Sequence, residues 1–546
     1  MGINKTVQRI HHADPAASPE STGLPQSDKS VDTARRKLLS WGTLGALGAS
    51  ALGNKPETVS AGGVPEEFDQ DLILLIDRIT GGFSLAEYNY AASLGYDAYL
   101  AEQLAYEGLI GDNDPALQLR LTAYDIQPMT AEEIRNTYNP DNMSNLALFQ
   151  TTTIQVMWSV YARAQLYYRM HMFWNHHFSI DMNSSTTQRF ILWPFLRDAI
   201  NAYAMENVPE LVRATAYGPA MLLYLNNNTN IAQAPNENYA RELMELHTLG
   251  ADNGYDQEDI EALARILTGW SACFNGNGCS GGQYAYGQFR FIPGNHDQDD
   301  KFFLGQTITG LSGDGAVAEG EEAIEILTNH QNTADYIARK MCRFFLGGTD
   351  YNYNPPEDIV QAVKWTYLTS NPVGDIRAML NVILARDVLT THAVPKFRRP
   401  ADLTSAALRA LGAEITATSP GFLGDLRFHM QNMGMHPNFW GPPDGPYDSQ
   451  AWSESNMIPR WLFVDDLARN GVNEAATISI SGLLQGIGYA AAGTQAQGLN
   501  IILTGGRMTD KEVDAVQDFI GLGVPSETTL REATGLAMSL PTFQFI

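Results

Sequence analysis

Ionisable side chains are unusually dense in the segment 235–250, which contains Arg241, Glu242, Glu245 and His247 among many apolar residues. Carboxylate oxygens and imidazole nitrogens bind divalent metal ions and transfer protons. Burying such groups without partners is costly, so we expect them to be paired, solvated in a cleft or bound to a ligand. The segment is therefore the first candidate site, with Glu242 or Glu245 as general base. Arg241 would orient a glutamate or hold an anionic substrate group.

A helix turns about 100° per residue, and at this period His247 shares one broad arc with the apolar residues Tyr239, Ala240, Leu243 and Leu246. Glu242 and Glu245 stack on a neighbouring strip. Glu242 and His247 lie about 140° apart around the helix, so one helix cannot bind a metal ion through both. Other segments must complete any metal site. The alternative interpretation makes the glutamates solvated surface residues and His247 a hydrogen-bonded core histidine.

Two further segments supply histidines. The longest helical pattern covers residues 152–177, and His177 continues its apolar stripe, so its ring should face the interior. His296 and Asp297 lie in an irregular loop, and functional side chains concentrate in loops. Together with His247 these three are the predicted ligands of a divalent metal ion of unspecified identity. The alternatives are a satisfied core histidine and a solvated acidic loop.

The chain has 546 residues, of which 61 are acidic and 35 basic, with a formal net charge of −26 at pH 7. This balance excludes nucleic acid as a partner, because neutralising phosphates requires clustered lysine and arginine. The length fits one large domain or two intimately joined ones. We expect a single large helical domain over residues 62–546.

Residues 1–61 are predicted to be a disordered N-terminus followed by an export signal,. Arg35 and Arg36 precede a weakly apolar run at 41–52, and this arrangement resembles a twin-arginine signal,. The run is too short and glycine-rich for a stable membrane span. We expect cleavage after about Ala61 and a periplasmic or extracellular location.

The chain contains three cysteines. Cys273 and Cys279 bracket a turn-rich loop and are expected to form a small disulfide in an oxidising compartment. Cys342 lies in an apolar helical pattern and should be a buried free thiol. Three scattered cysteines do not fit a cysteine zinc site.

The predicted fold class is mainly α: a large multi-helix globular domain, because most long segments show a helical period. The glycine- and aromatic-rich residues 276–305 should form a small β-hairpin or loop insertion, with a strand at 288–291,. The last predicted helices cover 451–469 and 511–519. The residues Ser84, Thr130 and Asp256 are predicted helix caps.

Several ordered blocks span nearly the whole mature chain. They are Arg78-x-Thr80-x-Gly82-Phe83-Ser84 with Leu100-x-x-Gln103-Leu104, Met172-Phe173-Trp174-x-x-His177-Phe178, Pro235 through Gly250, Gly254-Tyr255 through Leu267-Thr268-Gly269-Trp270, His296-Asp297 with Lys301 and Gly305, Pro400-x-x-Leu403 with Arg409-Ala-Leu-Gly412, and Leu540-Pro-Thr-Phe-Gln544. By these blocks the chain resembles the bacterial family catalogued as domain of unknown function 1800 (DUF1800). One departure is Asn175-His176-His177, where relatives commonly have His-Asn-His.

The resemblance implies an exported helical protein, often encoded beside sulfatase-like proteins, so that a sulfatase-like exported protein is a possible partner. It implies no reaction. It does identify the segments of His177, Glu242 and His296 as polar motifs of the family, which favours one shared site.

The leading hypothesis is an exported metal-dependent enzyme, a hydrolase, that acts on an envelope or extracellular polymer. The carboxylate of Glu242 or Glu245 would activate a metal-bound water. The rival is a non-catalytic envelope scaffold or binding protein whose polar motifs form a buried network. A second alternative is a periplasmic redox metalloenzyme.

Overall fold

The computed structural model describes residues 63–139, 143–274, 283–348, 353–415, 424–446, 452, 456–473 and 475–546. All of them belong to one compact unit, Asn54–Ile546. The predicted export signal lies outside the described residues. In the part of the chain that is described, no helix is both long and apolar enough to cross a membrane.

The mainly α prediction is confirmed, since 62% of the described residues are helical and the only sheets among them are two small antiparallel ones. The first half contains the α-helices Gln70–Ile79, Leu85–Leu94, Tyr96–Leu104, Pro115–Leu121, Ala131–Tyr138, Ser144–Tyr161, Gln165–His177, Thr186–Phe195, Val208–Ala216, Pro219–Tyr224, Glu237–Glu242 and Gln257–Ile266. The second half contains Val317–Thr328, Gln331–Leu346, Glu357–Thr369, Ile376–Ile383, Arg386–His392, Pro400–Ala410, Gly424–Asn432, Met457–Ala468, Ile480–Gly486, Gln495–Thr504, Asp510–Ile520, Glu527–Ser539 and Pro541–Gln544.

Short helices of other types connect these elements. Two are π-helical, Leu196–Asn201 and Leu243–His247. The 3₁₀ turns are Tyr106–Leu109, Gly111–Asn113, Asn227–Thr229, Pro293–Asn295 and Asp314–Ala316.

The two sheets lie in the predicted glycine-rich insertion and at its borders. Strand Trp270–Ala272 pairs with Phe289–Phe291, and Lys301–Phe303 pairs with Gln306–Ile308. The strand expected at 288–291 is therefore confirmed, and its partner Trp270–Ala272 precedes the predicted insertion at 276–305.

The prediction of a single long helix over 152–177 is wrong. One helix ends at Tyr161 and the next begins at Gln165. Ala162 is extended, with ψ of 142°. The Gln165 side chain stabilises the break, because its amide donates to the Ala162 carbonyl at 2.7 Å and its oxygen accepts from Gly81 N at 2.9 Å. Gly81 is distant in sequence, so the period of the apolar residues could not indicate this contact.

The predicted caps are confirmed. Ser84 accepts from Glu87 N at 3.3 Å, and Thr130 and Asp256 each form a capping box with the residue three positions later. The expectation that helices end near residue 519 is wrong. The helix Glu527–Ser539 contains glycine and several threonines, which lower intrinsic propensity,. It forms because Leu530, Ala533 and Met538 are buried.

Most buried apolar side chains fall into two clusters. The larger draws on residues from Leu72 to Leu389. The second is formed mainly by the C-terminal part, from Leu403 to Phe543, with contributions from Leu85, Val156 and Val160.

Candidate functional site: the glutamate helix and its neighbours

The dense acidic segment forms an α-helix, Glu237–Glu242, that continues as the π-helical turn Leu243–His247; we call the two together the glutamate helix. Asn236 caps it by accepting from Asn238 N at 3.0 Å. Single π-turns inside helices occur frequently at functional sites. The turn shifts the helical phase, so Met244 is buried and Leu246 is only half-buried, the reverse of the order expected at 100° per residue,.

The rings of His177 and His247 lie 5.9 Å apart between centroids, and both residues are buried. His177 Nε2 is 3.1 Å from the backbone carbonyl oxygen of His247. A carbonyl only accepts, so Nε2 carries the proton and Nδ1 carries the lone pair. His177 Nδ1 and His247 Nε2 are both buried without a hydrogen-bond partner.

Both imidazoles are neutral at pH 7. Burial lowers the pKa of His247 to about 3, and the nearby Lys340 ammonium acts in the same direction. Burial, Lys340 and His247 together hold the pKa of His177 well below its ordinary value. Neutral imidazoles with free lone pairs are suitable metal ligands.

Glu242 and Glu245 lie on the half-buried outer side of the glutamate helix. Arg241 lies between carboxylates, 2.9 Å from Glu237 and 3.5 Å from Glu245. Glu242 makes no ion pair with the described residues. Burial raises the pKa of Glu242, the charges of Glu245 and Asp444 raise it further, and Arg241 opposes them.

Asp444 belongs to a loop that packs across the end of the helix Gln165–His177. A Cβ atom at Gly445 would lie 2.2 Å from the His176 carbonyl oxygen, so only glycine permits this approach,. The hydroxyl of Tyr224 donates to the Gly441 carbonyl in the same loop. Asp444 of this loop and Tyr224 of the helix Pro219–Tyr224 both lie near Glu242, and the sequence analysis identified neither residue.

His296 belongs to a different buried network. Its Nδ1 lies 2.9 Å from the Thr268 carbonyl oxygen and its Nε2 lies 3.1 Å from Glu319 Oε1. The other oxygen of Glu319 accepts from Lys301 Nζ at 2.6 Å. Both nitrogens of His296 are therefore engaged.

Asp297 is engaged as well. Its two oxygens receive a bidentate pair of bonds from Arg265, at 2.8 and 3.0 Å. Burial raises the pKa of Asp297, but the Arg265 bonds, the bond from Asp299 N and the Arg265 and Lys301 charges together lower it by more, so that the net shift is downward. Lys301 adds a bond to the Asp297 backbone carbonyl.

The structure thus brings His177 to His247, while His296 and Asp297 bond to Glu319, Lys301 and Arg265. Among the described residues, no group of three or more His, Cys, Asp or Glu side chains is arranged to hold a metal ion.

The sequence analysis also missed the basic segment 396–409, which contacts the helix Gln165–His177, called the histidine helix below. Arg399 Nη1 donates to His176 Nδ1 at 2.8 Å. Lys396 and Arg399 both lie over the ring of Phe344, at 4.6 and 5.7 Å. Four basic residues within 396–409 of a strongly acidic chain were the available signal.

Cys273, a member of the predicted disulfide, lies at the border of the predicted insertion. Cys273 is disulfide-bonded, and Cys279, its predicted partner, lies outside the described residues. Cys342 is free and buried, and burial raises its pKa to about 12.

A family model described as "Protein of unknown function (DUF1800)" matches residues 74–545. No curated protein and no solved structure matches the chain significantly. The matched range contains the glutamate helix, both histidine segments and the basic segment. The chain belongs to the DUF1800 family, as the match over most of its length shows.

Proposed function

We propose that the protein is an exported hydrolase acting on an envelope or extracellular polymer, with its catalytic centre on the outer strip of the glutamate helix. Membership of a family of unknown function leaves the reaction open. The observation that carries the proposal is the environment of Glu242. This carboxyl is half-buried, unpaired among the described residues, and flanked by the charges of Glu245 and Asp444, which raise its pKa.

A raised pKa suits a carboxyl group for general acid–base catalysis, since it can hold a proton closer to neutral pH and release it to a leaving group. Glu242 would take this role. Glu245, held by Arg241 at 3.5 Å, would supply the second carboxylate. Both remain partly exposed, so a polymer can reach them.

A divalent metal ion is part of this proposal. His177 Nδ1 and His247 Nε2 are the atoms that would hold it, because both are buried and without a hydrogen-bond partner. Such an ion would lower the pKa of a bound water. His296 and Asp297 are left out of this ligand set, since their donor atoms already have close partners.

The scaffold alternative is favoured by one specific observation, the saturation of the network around His296. Every charged member has an opposite partner, from Arg265 through Asp297 to Lys301 and Glu319. Such fully satisfied networks specify a unique core and need no catalytic role.

The hydrolase proposal is tested with the mature protein on isolated cell envelopes. The release of reducing ends, free amino groups and free acids reports glycosidic, amide and ester cleavage respectively. Glu242→Gln keeps the shape of the side chain and should lower the rate by about 10²–10⁴-fold. Glu237→Gln on the same helix is the matched control and should stay close to the wild-type rate.

Two results would contradict the proposal. Equal rates for Glu242→Gln and the wild-type protein would remove Glu242 from the mechanism. No release of any product by the wild-type protein, with Zn²⁺, Mn²⁺ and Mg²⁺ each supplied, would favour the scaffold alternative.

The metal proposal has its own readout. After equilibrium dialysis against Zn²⁺ or Mn²⁺, elemental analysis should find metal on the wild-type protein and less on His247→Gln. His171→Gln is the matched control, because His171 is buried in the same way and burial lowers its pKa to about 3. Equal retention by all three proteins would exclude His247 as a ligand.

We also propose that the protein is exported by the twin-arginine pathway and associates with a sulfatase-like exported protein. Replacing Arg35 and Arg36 with lysine should trap the precursor in the cytoplasm, because a twin-arginine receptor reads the guanidinium pair. Normal export of that variant would exclude the signal. A sulfatase-like exported partner would be sought by co-purification from the exported fraction.

A further inference from the structure

A cavity of about 390 Å³ lies away from the glutamate helix, beside the helices Leu85–Leu94 and Tyr96–Leu104 and the C-terminal end of Pro400–Ala410. Its wall includes Leu109 from the larger apolar cluster, and Val160 and Leu408 from the second. It therefore lies where the two cores of the protein meet. Its volume falls within the range of about 300–1,000 Å³ that is typical of small-molecule sites.

Three of the blocks that suggested the family meet in this cavity, although none of them belongs to the proposed catalytic centre. They contribute Ser84, Gln103, Arg409 and Gly412. The block with Arg409 and Gly412 is far from the other two in sequence, and the tertiary structure brings it to the same space.

The polar wall is held rigidly. The guanidinium of Arg409 donates to the carbonyl oxygens of Gly82 and Val160, each at 2.9 Å, and to Glu87 at 3.1 Å. The Gln103 amide donates to the Arg163 carbonyl at 3.1 Å and its oxygen accepts from a backbone N–H. Groups fixed in this way can receive a ligand with little loss of conformational freedom.

The charges that line the cavity balance. Three are glutamates, Glu87, Glu102 and Glu414, and three are the arginines Arg120, Arg163 and Arg409. Glu414 pairs with Arg120 at 2.6 Å and Glu87 pairs with Arg409. An ionic ligand would have to displace one of these pairs, so the lining favours a ligand without net charge.

One atom of the wall is left without a partner. Glu102 Oε1 accepts from the Tyr90 hydroxyl at 2.6 Å, but Glu102 Oε2 is buried and has no hydrogen-bond partner. A carboxylate oxygen only accepts, so the ligand must supply an N–H or O–H donor. A hydroxyl supplies it without bringing a charge.

We propose that this cavity binds a segment of a neutral glycan, with a sugar hydroxyl donating to Glu102 Oε2. Further hydroxyls bond to the charged pairs of the wall, and the C–H faces of the sugar pack on Leu109 and Val160. This proposal is independent of the hydrolase proposal, because the two share no residue.

The test measures binding of defined oligosaccharides to the mature protein by isothermal titration calorimetry. The neutral probes are cellotetraose, maltotetraose and chitotetraose; the charged comparators are a uronic-acid tetramer and a glucosamine tetramer. We expect at least one neutral probe to bind more tightly than both comparators. Tighter binding of a comparator than of every neutral probe, or binding of none, would overturn the proposal.

Two variants localise the binding. Ala86→Trp fills the cavity from an exposed position on its rim, and Glu102→Ala removes the unpartnered acceptor. Each should raise the Kd of the best neutral probe by about tenfold or more. Ala92→Trp, exposed on the same helix but outside the cavity, and Glu132→Ala, exposed elsewhere, are the matched controls and should leave the Kd unchanged. Unchanged affinity of Ala86→Trp would overturn the proposal.

Discussion

At the scale of single residues, buried histidines of this chain occupy two kinds of environment. His171, His177 and His247 each have at least one ring nitrogen without a hydrogen-bond partner, and burial lowers the pKa of each. His296 has an oxygen against each nitrogen. The first kind keeps a lone pair available for a ligand, and the second does not.

His247 makes the stability of the protein depend on pH. Its pKa is about 3 in the folded state, against 6.5 for the unperturbed group. Between these values only the unfolded state binds the proton, so stability is complete above the unfolded pKa and is lost as the pH falls. This loss amounts to about 1.4 kcal/mol of unfolding free energy per pH unit.

His247→Gln should therefore flatten the decline of the unfolding free energy between about pH 6.5 and 4.5, measured by urea unfolding. Equal slopes for His247→Gln and the wild-type protein would contradict the assignment.

A substitution of Lys301 tests how much the buried network of His296, Glu319 and Lys301 contributes to stability. Its ammonium is 2.6 Å from Glu319, and neither side chain is exposed. Lys301→Met leaves the Glu319 charge buried beside His296, which should cost about 3–5 kcal/mol in the free energy of unfolding. Lys511→Met, at an exposed position on the helix Asp510–Ile520, should cost less than about 0.5 kcal/mol,. A similar small loss for Lys301→Met would mean that the network contributes little to stability.

At the scale of elements, two close backbone approaches position Asp444 and Glu319. The loop that carries Asp444 reaches the histidine helix through Gly445, and the helix Val317–Thr328 that carries Glu319 reaches the first strand through Gly320. In both places a glycine, which has no side chain, allows two elements to approach closely,.

Gly320→Ala should separate its helix from the strand. A Cβ atom there would lie 2.2 Å from Cζ2 of the buried Trp270, so the unfolding free energy should fall by about 1–3 kcal/mol,. Gly486→Ala is the matched control, since nothing lies within 4 Å of its added Cβ. That change should be neutral or stabilising by up to about 1 kcal/mol, because alanine is the better helix former. Equal effects of the two changes in urea unfolding would contradict the close packing.

At the scale of the whole molecule, the buried histidines and the cavity lie in different parts of the apolar core. The larger one surrounds His177 and His247 and contains Cys342, while its border with the C-terminal cluster forms the 390 Å³ cavity. Burial within the larger cluster keeps the two imidazoles neutral, and the border between the clusters leaves room for a ligand.

The thiols report the integrity of this core. Cys342 is buried and burial raises its pKa to about 12, so the native protein should not react with a thiol reagent,. Unfolding without reductant should expose one thiol per chain, since Cys273 is disulfide-bonded. Unfolding with reductant should expose all three cysteines. Three thiols without reductant would contradict the disulfide.

The sequence by itself determined the features that depend on neighbours a few residues apart. The helical class, the caps at Ser84, Thr130 and Asp256, and the inward side of His177 and His247 all follow from local period and side-chain chemistry,. The motif blocks likewise indicated the family that the match over residues 74–545 shows.

Only the tertiary structure decided which polar segments meet. His177 bonds to a residue 70 positions away, and His296 bonds to Glu319 in a helix 23 positions later. The break before Gln165, the π-turn at Leu243–His247 and the approach of Asp444 to Glu242 also arise from packing. The spacing of apolar residues relates only positions about one helical turn apart. These contacts depend instead on how whole helices and strands pack their apolar faces together.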